Sequence, residues 1–92
     1  MIRSFRCADT QRLFETGKSR TFGRIARIAE RKLAQLDSAK ELRDLRSPPG
    51  NRLEALHGDR RGQHSMRIND QFRLCFSWTA AGPENVEIVD YH

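Results

Sequence analysis

From Gln71 to Thr79 large apolar and polar side chains alternate, with Phe72, Leu74, Phe76 and Trp78 on one side and Arg73, Cys75 and Ser77 on the other. A period of two is the signature of a β-strand with one buried and one open face. Such a strand needs neighbours to take its backbone hydrogen bonds and a second layer to cover its apolar side. Asn69-Asp70, directly before it, is a two-residue hairpin signal, because both residue types tolerate positive φ. It pairs the strand with His64–Ile68, in which Met66 and Ile68 fall on the apolar side. Arg67 is thereby sent to the same open side as Arg73. Leu53–Leu56 reads as a further short strand before a Gly58-Asp59 turn, and Val86–Tyr91 as a last strand after a Gly82-Pro83 turn.

The covering layer has to come from the first half of the chain. Ile2–Phe5 alternates like a short strand, and Asp9 is placed to cap a helix through about Glu15 whose apolar side is Leu13 and Phe14. Thr16–Gly23 has loop composition. The spacing of Ile25, Ile28, Ala29, Leu33 and Leu36 predicts a second helix over Arg24–Leu36, with one apolar stripe. Arg24, Arg27 and Arg31 form a separate basic ridge, read equally well as a solvated face or as phosphate contacts. Ser38-Ala-Lys-Glu41 has the capping-box pattern and should start a short helix carrying Leu42 and Leu45, which Pro48-Pro49-Gly50 then ends. The expected class is α+β, with helices packed on one face of a mainly antiparallel sheet. At 92 residues and 37% hydrophobic the chain supports one modest core, so residues 1–92 are expected to form a single domain.

Several function classes are excluded at this point. No apolar run exceeds the three residues Leu74-Cys75-Phe76, too short to span a bilayer, so no membrane partner is expected. Met1–Cys7 lacks the apolar stretch of a secretory signal, and a cytoplasmic location is expected. Cys7 and Cys75 fit neither a metal spacing nor a disulfide framework and read as reduced, largely buried thiols. Gly17-Lys18-Ser19 resembles the tail of a phosphate-binding loop, but the earlier glycine and the preceding apolar strand are missing. No cluster of His, Cys and carboxylates suggests a metal, and no cofactor is expected.

Charge points towards nucleic acid. The formal net charge is +5, and 14 of the 17 basic residues are arginines, whose planar fork matches phosphate. Every Lys and Arg lies at or before Arg73, and only Glu84, Glu87 and Asp90 carry charge after it. Asp90-Tyr91-His92 then sets an acid, a phenol and an imidazole at the end of a strand. An imidazole titrates near neutral pH and suits proton transfer, a phenol can stack on a base, and a carboxylate can hold either an imidazole or an arginine.

The run Arg60-Arg-Gly-Gln-His-Ser-Met-Arg-Ile-Asn-Asp-Gln-Phe-Arg-Leu-Cys-Phe-Ser-Trp78, followed by Val86-Glu-Ile-Val-Asp-Tyr-His92, resembles the HigB toxin family. The opening Met1-Ile-Arg-Ser-Phe5 and the segment Arg52-Leu-Glu-Ala-Leu-His-Gly-Asp59 match as well, so the likeness spans the chain. It implies the RelE-like fold, with helices over one face of a curved sheet. It further implies a ribosome-dependent messenger-RNA endonuclease, held in check by a helix-turn-helix HigA-type antitoxin, with operator DNA met only by the toxin–antitoxin complex. Catalytic roles are implied for Arg73, Asp90, Tyr91 and His92. Some relatives carry histidine where this chain has Glu54 and lysine where it has His57, so Glu54 stands as a candidate second acid/base. His57, Arg60, Arg61 and Arg67 stand as contacts to RNA or ribosome beside Arg24, Arg27 and Arg31. Two rivals stay open from the residues alone: a gyrase poison of the ParE type, and a non-catalytic nucleic-acid-binding module.

Overall fold

The structure, a computed structural model, describes residues 1–91. Two helices, α1 (Ala8–Thr16) and α2 (Ala26–Ser38), precede four strands: β1 (Glu54–Ala55), β2 (Gln63–Arg67), β3 (Phe72–Thr79) and β4 (Gly82–Asp90). The strands pair antiparallel in chain order, and the helices cover one face of the curved sheet, giving a small α+β RelE-like fold. The period-two pattern of β3 decides which face is covered. Leu74 and Phe76 are fully buried beneath Ala29, Leu33 and Leu36 of α2 and Leu13 of α1. Met66, Val86 and Ile88 extend the same layer across the neighbouring strands. Each such side chain contributes about 1.5–3 kcal/mol of transfer free energy.

The outer edge of β4 is closed rather than left open to other chains. Residues 2–6 run beside it, with Arg3 N donating to Pro83 O (2.8 Å), Val86 N to Ser4 O (3.1 Å) and Arg6 N to Val86 O (3.0 Å). Further along, Ile88 N donates to the buried Thr10 Oγ1 at 3.0 Å, which fastens α1 to the sheet. The expected first strand at Ile2–Phe5 is therefore only an isolated parallel bridge, Phe5 to Val86. A β-bulge accounts for this. Cys75 faces Glu87 whereas Ser77 faces Glu84, so β4 holds one extra residue between them. Asn85 takes it up at φ 54°, and Pro83 and Val86 both turn inward as a result.

Other expectations shift for local reasons. Gly82-Pro83 is the start of β4 and not a turn; Gly82 has φ 124°, and a Cβ there would lie 2.6 Å from Met1 O. Asp9 does not cap α1 but sits in its first turn, where Oδ2 accepts from Thr21 Oγ1 at 2.9 Å. α2 begins after a 3₁₀ turn at Gly23–Ile25 and runs on to Ser38, so Ser38 ends that helix. The reciprocal cap is instead Glu41 with Asp44, opening a 3₁₀ turn at Leu42–Arg46; backbone donors at Glu41 and Lys40 hold the Asp44 carboxyl below the usual range. Gly17-Lys18-Ser19 closes α1, the reverse of the strand-to-helix setting a phosphate loop needs. Ile28 leaves the expected apolar stripe and is 36% exposed, because the buried line of α2 runs through Ile25, Ala29, Leu33 and Leu36.

His64 is the one polar group set within the covered face of β2. It pairs across the sheet with Phe76, their rings stacked at 6.3 Å, and its Nδ1 is buried without a hydrogen-bond partner. Burial lowers its pKa from 6.5. The unfolded chain then binds the proton more readily, so stability is full above pH 6.5 and falls as pH drops through the folded-state value. Urea unfolding at pH 7.5 and pH 5 should show a lower midpoint in acid, and His64→Phe should shrink that difference.

Candidate nucleic-acid interface on the open sheet face

Cross-strand register lays out the uncovered face in rows. Glu54, Ser65, Cys75 and Glu87 form one row across all four strands, and Arg67, Arg73 and Val89 form the next. The two arginines are direct partners, so their Cβ atoms stand about 4.5–5.5 Å apart. Like charges side by side in a sheet are unfavourable unless something offsets them. Arg67 is offset by an ion pair with Asp70 in the hairpin turn. Arg73 donates to the carbonyls of Asn69 (2.7 Å) and Phe72 (3.4 Å). Its guanidinium also lies over the Tyr91 ring, 5.5 Å from the centroid.

The chain end is placed by the hairpin. Tyr91 N donates to Gln71 O at 2.5 Å, and Gln71 Nε2 donates to Asp90 Oδ2 at 3.0 Å. Asp90 pairs with Phe72, so its side chain starts from the helix side of the sheet, while Arg73 and Tyr91 share the open side. His92 lies outside the described residues.

Arg60 crosses this face from the turn Gly58–Arg60. Its guanidinium donates to Gln63 Oε1 at 3.1 Å and to Glu87 Oε2 at 3.3 Å, spanning the sheet from the β1–β2 connection to β4. Arg6 approaches the same Glu87 oxygen at 3.6 Å. Burial would pull the Arg60 pKa down, but the Glu87 hydrogen bond and charge reverse this and hold it above its ordinary value. Burial pushes the Cys75 thiol up, so it is a neutral floor residue and no nucleophile.

The sequence-predicted residues therefore divide into groups. Arg73, Tyr91, Arg67, Arg60 and Glu54 share the open face; His57 and Arg61 are exposed on the loop flanking it. By strand spacing Glu54 and Arg73 are about 12 Å apart at Cα, two strands and two residues removed. The Arg24, Arg27 and Arg31 ridge is not on this face, since it rides on the helix layer. Glu87, Arg6 and Gln71 were missed, because only register and chain crossing bring them to the site; Asn69, read as a turn residue, reaches Arg73 locally through its backbone carbonyl. The one available signal was Glu87 itself, an outward acid in the last strand of a basic chain. Among the described residues, no three His, Cys, Asp or Glu side chains gather as a metal site would require.

A small α+β protein with one helix-covered sheet face and an open face of paired arginines beside a C-terminal tyrosine belongs to the RelE-like class. A sequence profile described as the RelE-like toxin of the type II toxin–antitoxin system HigB matches residues 3–92, and the chain belongs to this HigB-like toxin family. It is 54% identical over 48 residues to a protein named Toxin HigB-1 from Vibrio cholerae, an alignment covering 52% of this chain and 50% of that one. It is 35% identical over 54 residues to an uncharacterized protein from Haemophilus influenzae, covering 59% of this chain and 54% of that one. The chain spans about half the length of the curated relatives it matches.

Glu87→Gln should leave Arg60 without its counter-charge on a half-covered face. Because Arg6 is 61% exposed and well screened, the expected loss is modest, about 1–2 kcal/mol, read as a lower urea midpoint at pH 7.5.

Proposed function

We propose that this protein is the toxin of a type II toxin–antitoxin pair and acts as a metal-independent endoribonuclease, cutting messenger RNA in the ribosomal A site and so arresting translation and growth. The observation that carries the reading is the Arg73 guanidinium held over Tyr91 on the open sheet face, next to Arg67. Membership of the HigB-like family supports the toxin part of this reading, as does the name of the Vibrio cholerae relative.

The chemistry needs little beyond these groups. In RNA the 2′-hydroxyl lies beside the scissile phosphate and attacks in line once a base takes its proton. The attack gathers negative charge on the non-bridging oxygens, where a preorganised guanidinium gives most stabilisation. Arg73 fills this role, fixed by its bonds to the hairpin carbonyls and by the Tyr91 ring, with Arg67 beside it. Tyr91, 44% exposed, offers its outer ring surface for stacking on a base. His92, next in the chain, is the leading proton-transfer group, and Asp90 organises the chain end through Gln71. Glu54 serves as the second acid/base. Its separation from Arg73 suits groups that act on one phosphodiester from opposite sides. His57 and Arg61 at the rim, and Arg24, Arg27 and Arg31 on the helix layer, add contacts to ribosome or message. A helix-turn-helix HigA-type antitoxin is the inhibitory partner, operator DNA is met only in its complex, and the site of action is cytoplasmic.

Primer extension on ribosome-bound message tests this directly. Arg73→Ala should slow cleavage about 10²-fold or more, by comparison with loss of one preorganised oxyanion donor. A near-normal rate removes Arg73 from the mechanism, and trapped DNA breaks in place of cut message would indicate gyrase poisoning. Removing Tyr91 and His92 should abolish growth inhibition while leaving the unfolding midpoint close to that of the full chain.

A further inference from the structure

Ile28 left the buried stripe of α2, and it opens onto a groove of about 380 Å³ on the edge of the molecule. The groove runs between α2, the turn at Pro49–Asn51 and the end of β2; it is lined by Ile28, Arg31, Lys32, Gln35, Arg67 and Ile68, with Pro48 and Gly50. β1 pairs with only Ser65 and His64 of β2, so the strand end carrying Arg67 is left uncovered there. Three cations thus line one concave site, and among the described residues its walls hold no carboxylate.

Lys32 is held in place rather than neutralised. Its ammonium donates to the side-chain oxygen of Asn51, a fully buried residue. The Asn51 amide nitrogen in turn donates to Leu45 O and Gln35 Oε1 (both 3.1 Å) and to Ser47 O (3.2 Å), which fixes the oxygen towards Lys32. An aspartate at this position would cancel the charge; asparagine fixes the ammonium and leaves the charge in force. Burial lowers the Lys32 pKa, and the like charges of Arg31 and Arg67 lower it further. An anion in the groove relieves that repulsion. Among the described residues, the carboxylate paired with these three is Asp70, bound to Arg67 from outside and 97% exposed.

We propose that this groove is a second phosphate-binding site, which takes a backbone phosphodiester of single-stranded RNA flanking the one held by Arg73. Arg67 links the two, because it lines the groove and is also the direct cross-strand partner of Arg73. The volume lies within the range of small-ligand sites, roughly 300–1,000 Å³, and the exposed Ile28 gives a ribose an apolar surface to rest on. The assignment of RNA as ligand rests on the proposed nuclease function; the groove's preference for an anion does not.

The test is fluorescence anisotropy of a labelled single-stranded oligoribonucleotide bound to the full protein across a salt series. Lys32→Gln should weaken binding and reduce the slope of log K against log salt by about 0.7, the value for one phosphate contact on a single strand. Lys32→Arg should keep most of the slope. Arg31→Gln, exposed and outside the Asn51 hydrogen bond, should show the same loss without any route through misfolding. Unchanged slopes in both neutral variants overturn the proposal. So does a result in which short poly-glutamate peptides, and not RNA, lose binding in these variants, for then the groove docks acidic protein. If the slope falls as expected while the unaltered protein fails to cut ribosome-bound message, the nuclease reading falls and the phosphate groove stands.

Discussion

The contact between the apolar side of β3 and the buried line of α2 is the one on which the rest of the molecule depends. Leu74 and Phe76 alternate with Arg73 and Cys75, so burying the first pair under Ala29, Leu33 and Leu36 forces the second to the opposite side. A slip of one residue would drive Arg73 into the core, where an uncompensated guanidinium is costly, and push Phe76 into water. Hydrophobic burial and placement of the charged face are therefore one choice made twice. The bulge at Asn85 keeps that choice consistent in β4, because it lets Val86 and Pro83 both meet the core though they lie three residues apart.

With one face committed to packing, the other is arranged by electrostatics. Arg60 and Arg6 converge on Glu87 from outside the sheet and tie the β1–β2 connection and the N-terminal segment to β4. Arg73 is treated differently, since carbonyls and an aromatic ring hold it with its charge in force. Lys32 follows the same rule on the far side of the hairpin, where a neutral amide fixes a cation. A protein that stabilised itself by ion pairs would do neither. The pattern separates arginines that brace the fold through Glu87 from cations held by neutral groups.

Much of this was legible in the residues. The alternation in Phe72–Thr79 and the helical spacing around Ala29 and Leu33 carry their own period, and local sterics read them without reference to distant residues. The hairpin was legible but its turn was not: it closes over residues 69–71 with neither Asn69 nor Asp70 at positive φ, because the Asn69 side chain accepts from Gln71 N and Phe72 N. The other illegible features involve partners remote in sequence. Ile2–Phe5 alternates like a strand, yet its pairing is limited by a bulge some eighty positions away. Gly82-Pro83 has turn chemistry, but the carbonyl of Met1 requires the glycine and Arg3 N takes the proline's oxygen. Ile28 fits the apolar period as well as Ala29 does, and only the packed sheet shows which one the core accepts.

The sequence by itself determined the layer arrangement, the open side of the sheet and the pair Arg67 and Arg73 upon it, because side-chain direction in a strand follows from a covalent period. It also marked the family through the run ending at Tyr91-His92. Tertiary structure alone decided what those arginines touch, that Glu87 anchors Arg60, that the Arg24–Arg31 ridge stands apart from the open face, and that Lys32 rests on Asn51. The physical reason is range. Periodicity acts over a few residues, whereas a guanidinium's surroundings depend on strand register and chain crossing, which emerge when the whole core packs.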